Sequence, residues 1–427
     1  EPKLTNIFKY IKSKDILGKD FEIELYGIEH NKAELVNNIL KIENSYEAKY
    51  LKDYLLTTQR EKVLNEISTL ITKDVSIEEK KVLIEKSLKN IDGFKDSTLS
   101  DSNSCINRYK EYITEMSDLY KSKDGLIGIS TGVDRLDYKI RGVKNQDFVV
   151  VGARPSMGKT SFVLNMFLNA IRTNEVPVMF SLEMPKEQIL GRGITQLNNA
   201  LNMNQTMYGE GYEETKSSID DILNYLSEKD FYIEDFKEDA KAKITVNDLR
   251  VRAGEIENKL KAVNKKIGII IIDYLQLISP DSRGSMSTND IMSEISKGCK
   301  ALGKIFSCPI VALSQLNRQL ESRTDKRPQM SDLRDSGAIE QDADIIMFLY
   351  RPSVYLSKEI REQMKKRPND DHLIRELEIL EQQKIDDAEI IIGKQRNGEI
   401  GIVPAAFLKQ SAMYGDREKF EDEDIWN

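Results

Sequence analysis

The sequence predicts an α/β protein: a mainly parallel sheet with crossover helices, preceded by a smaller all-α N-terminal domain and a linker helix. Three observations point there. After Asp124-Gly125 short apolar runs alternate with helical stretches, the loop Ala153 to Thr160 joins one such run to a helix, and the chain before Ile91 spaces its apolar positions for amphipathic helices. At 427 residues the chain also exceeds what one core usually supports, so more than one domain is expected.

In chain order, Leu35, Ile39, Ile42, Tyr50, Tyr54, Val63, Ile67 and Leu70 fall at helical spacing, and residues 1–96 are read as a helical N-terminal domain. Gly93 to Ser104 is rich in Asp, Ser and Asn and reads as a linker. Ile106, Tyr109, Ile113, Met116 and Tyr120 then recur every three or four residues, which places one amphipathic helix, in need of a groove, in the segment 97–127. Over 128–414 the candidate strands are Phe148 to Gly152, Val176 to Ser181, Ile267 to Asp273, Pro309 to Ser314, Ile345 to Tyr350 and Glu389 to Lys394. Their unbroken hydrophobicity implies burial on both faces. Residues 415–427 carry Asp416, Glu418, Glu421, Asp422, Glu423 and Asp424, and read as a solvated, frayed tail, with a docking peptide as the alternative.

Composition removes several classes of function. Hydrophobic residues make up 40% and charged residues 31%, and no apolar run approaches the roughly 20 residues that a membrane span needs. The start, Glu1-Pro2-Lys3-Leu4, has no export signal, and the missing initiator Met points to a trimmed or incomplete N-terminus. Cys105, Cys299 and Cys308 are scattered and fit reduced intracellular thiols, while two histidines, His30 and His372, argue against structural zinc. A cytoplasmic protein without membrane attachment is expected. The net charge of −8 is unusual for a nucleic-acid binder, but the acidic tail supplies much of it.

Chemistry concentrates in a few motifs. Ala153-Arg154-Pro155-Ser156-Met157-Gly158-Lys159-Thr160 follows a strand and opens a helix, a setting in which backbone N–H groups face phosphate oxygens. Ser156 to Ser161 would cradle the phosphates of ATP, with Lys159 on the β- and γ-phosphates and Thr160 on Mg²⁺; Ala153 stands where glycine is usual. Asp273 ends the run Ile267 to Ile272 and would anchor the Mg²⁺ shell. Because Tyr274 follows it, the group that orients the attacking water is sought elsewhere, at Glu183, which otherwise reads as a helix cap or surface residue. Gln315, at the end of another strand, can sense the γ-phosphate or be an ordinary polar strand end. Lys394 and Arg396 precede the turn Asn397-Gly398; two cations on a hairpin suit a trans-acting arginine finger, although a lone basic turn usually has no such role.

Taken together, Gly128 to Gly132, the phosphate loop, Phe180 to Met184, Ile270 to Leu277, Ala312 to Arg318, Asp332 to Asp344 and Lys394 to Gly398 resemble, in order and spacing, the DnaB family of replicative helicases. The resemblance runs from about Gly125 to the mid-400s. It implies a RecA-like motor domain that forms a homo-hexamer, encircles single-stranded DNA, translocates 5′ to 3′ and unwinds forked DNA by ATP hydrolysis, with a primase and a helicase loader as partners. It also implies that Lys159, Thr160, Glu183, Asp273 and Gln315 serve the nucleotide, that Arg192 contacts the base, and that Lys394 and Arg396 reach a neighbour's ATP. Arg334, Asp335, Ser336 and Gly337 match a central-channel loop that holds DNA phosphates. A RecA-like recombinase, or a DNA-stimulated ATPase without unwinding activity, shares the motor and is the competing expectation. The chain departs from the family pattern in its short N-terminal region, in Asp335 and Glu399, and in a long charge-rich stretch between Arg351 and Ala388.

Overall fold

In the computed structural model, residues 102–122, 125–236, 243–281, 287–333 and 336–421 are described, with the backbone alone for Ser336. The chain divides into two compact units, Glu1–Lys110 and Glu111–Asn427. The helical domain expected over 1–96 lies outside the described residues. Helix α1, Ser102–Ser122, contains the expected linker helix and extends it at both ends. Its Ile106, Ile113 and Tyr120 remain exposed, and Arg141 sits over the Tyr120 ring.

The second unit is built on a nine-stranded sheet of order β3-β2-β4-β5-β1-β6-β7-β8-β9. Its strands are β1 Phe148–Ala153, β2 Val176–Ser181, β3 Tyr232–Glu234, β4 Ile267–Asp273, β5 Ile310–Gln315, β6 Ile345–Tyr350, β7 Ile385–Gln395, β8 Gly401–Leu408 and β9 Met413–Gly415. Pairings from β3 across to β6 are parallel, and those from β6 to β9 antiparallel. All six sequence-predicted strands are present. The last is longer than expected, because β7 begins at Ile385 and pairs with β8 along most of its length.

Alternation along β1 explains the unbroken apolar runs. Val149 and Val151 join one core and Phe148 and Val150 the other, so the strand is covered on both sides. The first core is closed by α2 Asp134–Ile140, α3 Lys159–Arg172, α4 Lys186–Leu197 and α6 Tyr212–Ser227, with the short α5 Met203–Tyr208 against α4. The second is closed by α7 Val246–Lys261, α8 Thr288–Phe306 and Ile339 of α9 Ser336–Asp342. Apolar residues of α8 recur as Met292, Ile295, Cys299, Leu302 and Phe306, a stripe that faces the sheet.

The charge-rich stretch after β6 forms two helices, α10 Pro352–Lys366 and α11 Asp371–Gln382. Pro352 at the first position of α10 suits a helix start, since it gives up an N–H that has no partner there. The described part of the acidic tail, up to Glu421, differs from the frayed end expected. Asp416 is buried and accepts hydrogen bonds from the N–H groups of Asp134 (2.6 Å) and Arg135 (3.4 Å), which caps α2, and Arg417–Glu421 forms helix α12. A carboxylate at a helix N-terminus satisfies N–H groups without intrahelical acceptors, and that local need explains the packing. Asp422, Glu423 and Asp424 lie outside the described residues.

Candidate active site

Parallel strands deliver their C-terminal ends to one edge of the sheet, and β1 stands where the chain switches from building one side to building the other. The phosphate loop occupies that point. Ser156 (φ 69°) and Gly158 (φ 86°) turn the chain through the left-handed region, and Met157 N–H closes the turn on Arg154 O at 3.3 Å. The first bond of α3 runs from Phe162 N–H to Gly158 O (2.9 Å), so the N–H groups of Lys159, Thr160 and Ser161 fall in the turn that has no intrahelical acceptors.

Around this loop the structure assembles most of the expected residues. Ser181 pairs in register with Asp273, and Ala153 with Gln315, so the tips of β2, β4, β5 and β1 lie side by side. Thr160 Oγ1 donates to Asp273 Oδ2 at 2.8 Å, while Asp273 Oδ1 is buried without a hydrogen-bond partner. Burial pushes the Asp273 carboxyl up from its ordinary value, opposed by the Thr160 hydroxyl and the Lys159 ammonium. Burial also pulls the Lys159 amine down, opposed by the carboxylates of Asp273 and Glu183. Lys159 Nζ stands 5.0 Å from the centroid of the Tyr274 ring.

Glu183 is exposed, two residues past the tip of β2, in a turn held by Ser181: its hydroxyl donates to Met184 O (2.6 Å) and accepts from Met184 N–H (3.2 Å). It does not cap α4, whose N-cap is Pro185 without a side-chain bond. Arg192, on α4, has a buried Nε without a partner; burial lowers its guanidinium from the usual value, opposed by Asp273. A buried carboxylate oxygen without a donor beside a threonine hydroxyl is a hard-oxygen donor set that fits a divalent cation such as Mg²⁺.

Lys394 and Arg396 are elsewhere. Because β7 runs antiparallel to β6 and Gln395 pairs with Ile345, these cations lie at the edge where β1 and β6 begin, roughly 20 Å of strand from the phosphate loop. Lys394 is anchored, donating to Glu340 O, to Ala343 O (2.7 Å) and to Gln341 O (3.5 Å) at the C-terminal end of α9. Arg396 pairs with Asp344 at 3.1 Å and donates to Gln341 O at 3.3 Å. At the other end of α9, Gly337 faces open space; Arg334 and Asp335, and the side chain of Ser336, lie outside the described residues.

Several contacts that hold the loop were not foreseen. Tyr414, fully buried, donates its hydroxyl to Met157 O at 2.5 Å, and Arg351 donates to Ser156 O at 3.3 Å while paired with Asp386 and stacked over Phe407. Arg154 turns away from the phosphate face to Glu321 and to Leu316 O. Gln276 bridges the tips of β4 and β5 through Ser314 Oγ (2.9 Å) and Gln315 N–H (3.2 Å). A cleft of ≈ 770 Å³ separates Arg154, Pro155, Ser156 and Met157 from α10 and α11.

Comparison with known proteins places the same region in one family. Residues 128–416 match the DnaB-like helicase C terminal domain. The replicative DNA helicase DnaB of Pasteurella multocida is 39% identical over 311 residues, 72% of this chain and 59% of that protein. That of Geobacillus stearothermophilus is 37% identical over 308 residues, 72% of this chain and 60% of that one. The chain thus spans about three-fifths of the length of these curated relatives. Among solved structures, one described as an ATPase domain superposes with a TM-score of 0.57 at 32% identity, over 72% of this chain and 98% of that one. A DnaB-like replicative helicase, described with its interactions with primase, superposes with a TM-score of 0.60 at 27% identity, over 93% and 87%.

Proposed function

This chain belongs to the DnaB-like helicase family, and from that membership we propose that it is an ATP-hydrolysing replicative DNA helicase that encircles single-stranded DNA as a homo-hexamer and moves 5′ to 3′. The observation that carries the chemistry is the meeting of Lys159, Thr160, Asp273 and Glu183 at one sheet edge. Thr160 and Asp273 would hold Mg²⁺, which supplies charge neutralisation on the β- and γ-phosphate oxygens when bound.

On this reading each side chain has one task. The loop N–H groups from Ser156 to Ser161 receive the phosphates, Lys159 offsets charge on the β- and γ-oxygens, and Glu183 orients a water against the γ-phosphorus. As the new P–O bond forms, the bond to the bridging oxygen breaks and ADP leaves with its electron pair. Gln315, one strand over from the loop, contacts the γ-phosphate or its water, and Arg192 holds the base. Lys394 and Arg396 cannot reach the loop of their own subunit across the sheet, so they serve a neighbour's ATP. Arg334, Asp335, Ser336 and Gly337 hold DNA phosphates in the central channel without reading sequence. A primase and a loader are the partners expected, acting where the chain meets forked DNA in the cytoplasm. No helix among the described residues is long and apolar enough to cross a membrane.

Unwinding of a forked duplex with a 5′ single-stranded tail, with ATP turnover stimulated by single-stranded DNA, is the decisive experiment. Strand pairing without unwinding would identify a recombinase-like protein instead. Turnover indifferent to single-stranded DNA would remove the motor altogether.

A further inference from the structure

We propose that Glu321 is a positioning residue for the phosphate loop, and that helix α10, through Lys358, tunes nucleotide binding by way of it. The proposal rests on the reading of Ala153 to Thr160 as the ATP phosphate site. Arg154, the second residue of that loop, has a side chain only 8% exposed and spends its whole guanidinium on one segment. Nε and Nη2 donate to Glu321 Oε1 at 3.0 and 2.6 Å, and Nη1 donates to Leu316 O at 2.8 Å. The other carboxylate oxygen of Glu321, Oε2, accepts from Lys358 Nζ at 2.5 Å. Both hydrogen bonds hold the Glu321 carboxyl below its ordinary value, that of Lys358 foremost. One carboxylate therefore joins three elements: the loop that binds phosphate, the segment that follows Gln315, and the charge-rich helix after β6.

Direction follows from burial. Arg154 is nearly enclosed, so weakening its partner leaves a cation without compensation and the loop must shift to solvate it. Glu321 is 30% exposed and Lys358 54% exposed, so their pair is worth less alone but can be altered without opening the core. Lys358 belongs to the stretch between Arg351 and Ala388 for which the sequence offered no role. Placed beside the loop's outer flank, α10 holds the outer end of a chain of charges that ends on the residue after Ala153.

The test uses the full chain, with binding of a fluorescent ATP analogue and steady-state turnover measured across a series of salt concentrations. Glu321→Gln should weaken analogue binding by about tenfold or more, with a smaller change in kcat. Lys358→Met should weaken it by about three- to fivefold, Lys358→Arg should restore it, and the wild-type advantage over Lys358→Met should shrink as salt rises. Since Lys358 is a surface residue, this arm holds even if Glu321→Gln fails to fold. Wild-type binding by Lys358→Met at low salt overturns the tuning by α10, and wild-type binding by a folded Glu321→Gln overturns the positioning role. Lys159→Ala, run alongside, separates the two levels: if it still binds and turns over ATP, the phosphate-site reading fails, whatever the other variants do.

Discussion

At Gly158 the backbone turns at φ 86°, and an added Cβ would lie 2.9 Å from Phe407 Cε2 and 3.1 Å from Tyr414 Cε2. Gly158→Ala should therefore lose nucleotide binding and cost about 1–2 kcal/mol from the left-handed backbone before any clash is counted; urea midpoints beside binding isotherms check this. Lys159→Ala should abolish turnover, because the phosphate loop loses the ammonium that offsets charge on the β- and γ-oxygens, and residual hydrolysis in a coupled assay would show that the site is misplaced. Asp137 offers a test by pH. Burial lifts its carboxyl from 3.8 to about 6, although Ser130 and Thr131 donate hydrogen bonds to it. Between those values the folded chain holds a proton that the unfolded chain has released. The group's contribution is thus greatest below 3.8 and is lost as pH rises through about 6. Relative to Asp137→Asn, the wild type should lose up to about 3 kcal/mol of unfolding free energy between roughly pH 4 and pH 7, and a flat difference would refute the assignment. Lys159, Thr160 and Asp273 were legible because each sits at a strand tip or helix start that its own neighbours in sequence announce. Glu321, Arg351 and Tyr414 were not: they meet the loop across 167, 195 and 257 residues, and no local pattern encodes such a meeting.

Among elements, β9 does more than its three residues suggest. It places the Tyr414 ring edge-on to Phe162 and Phe407 and its hydroxyl on Met157 O, so a short edge strand supports the floor of the phosphate loop. Tyr414→Phe keeps the packing and strands one buried carbonyl, which should cost about 1–2 kcal/mol of stability and raise the KM for ATP more than it lowers kcat. Equal loss in both would mean that the ring, not the hydroxyl, carries the effect. Strands β1, β2, β4, β5 and β6 were readable as unbroken apolar runs, since burial on both faces erases the polar alternation of a half-exposed strand. The early part of β7 was hidden, because Asp386 and Asp387 look like loop residues. Asp386 is in fact buried against Arg351, Ser353 and Lys409, and these partners are remote in sequence from it or its strand. The packing of Asp416 was missed for a similar reason: its value depends on the N-terminus of α2, which no reading of residues 415–427 alone supplies.

For the whole molecule, the negative net charge says little about the proposed DNA path, because ion pairs such as Arg327–Glu389 and Arg417–Asp387 spread both signs over the surface. More follows from the distance between Arg396 and Lys159. Arg396→Ala should bind nucleotide and fail to turn it over. Mixed with Lys159→Ala, itself inactive, it should regain activity at interfaces where an intact loop meets an intact hairpin, about a quarter of those in a random mixture. A mixture as inactive as its parts would contradict action across subunits. If the hairpin serves a neighbour's ATP as proposed, separate edges for loop and hairpin also impose a counting rule on assembly. An open chain of n such subunits completes only n − 1 sites, leaving one loop unserved at one end and one hairpin idle at the other. Closure adds the missing site at a stroke. Specific activity should therefore climb with protein concentration as fragments lengthen and level off once the ends have met, which makes a dilution series a census of closed assemblies.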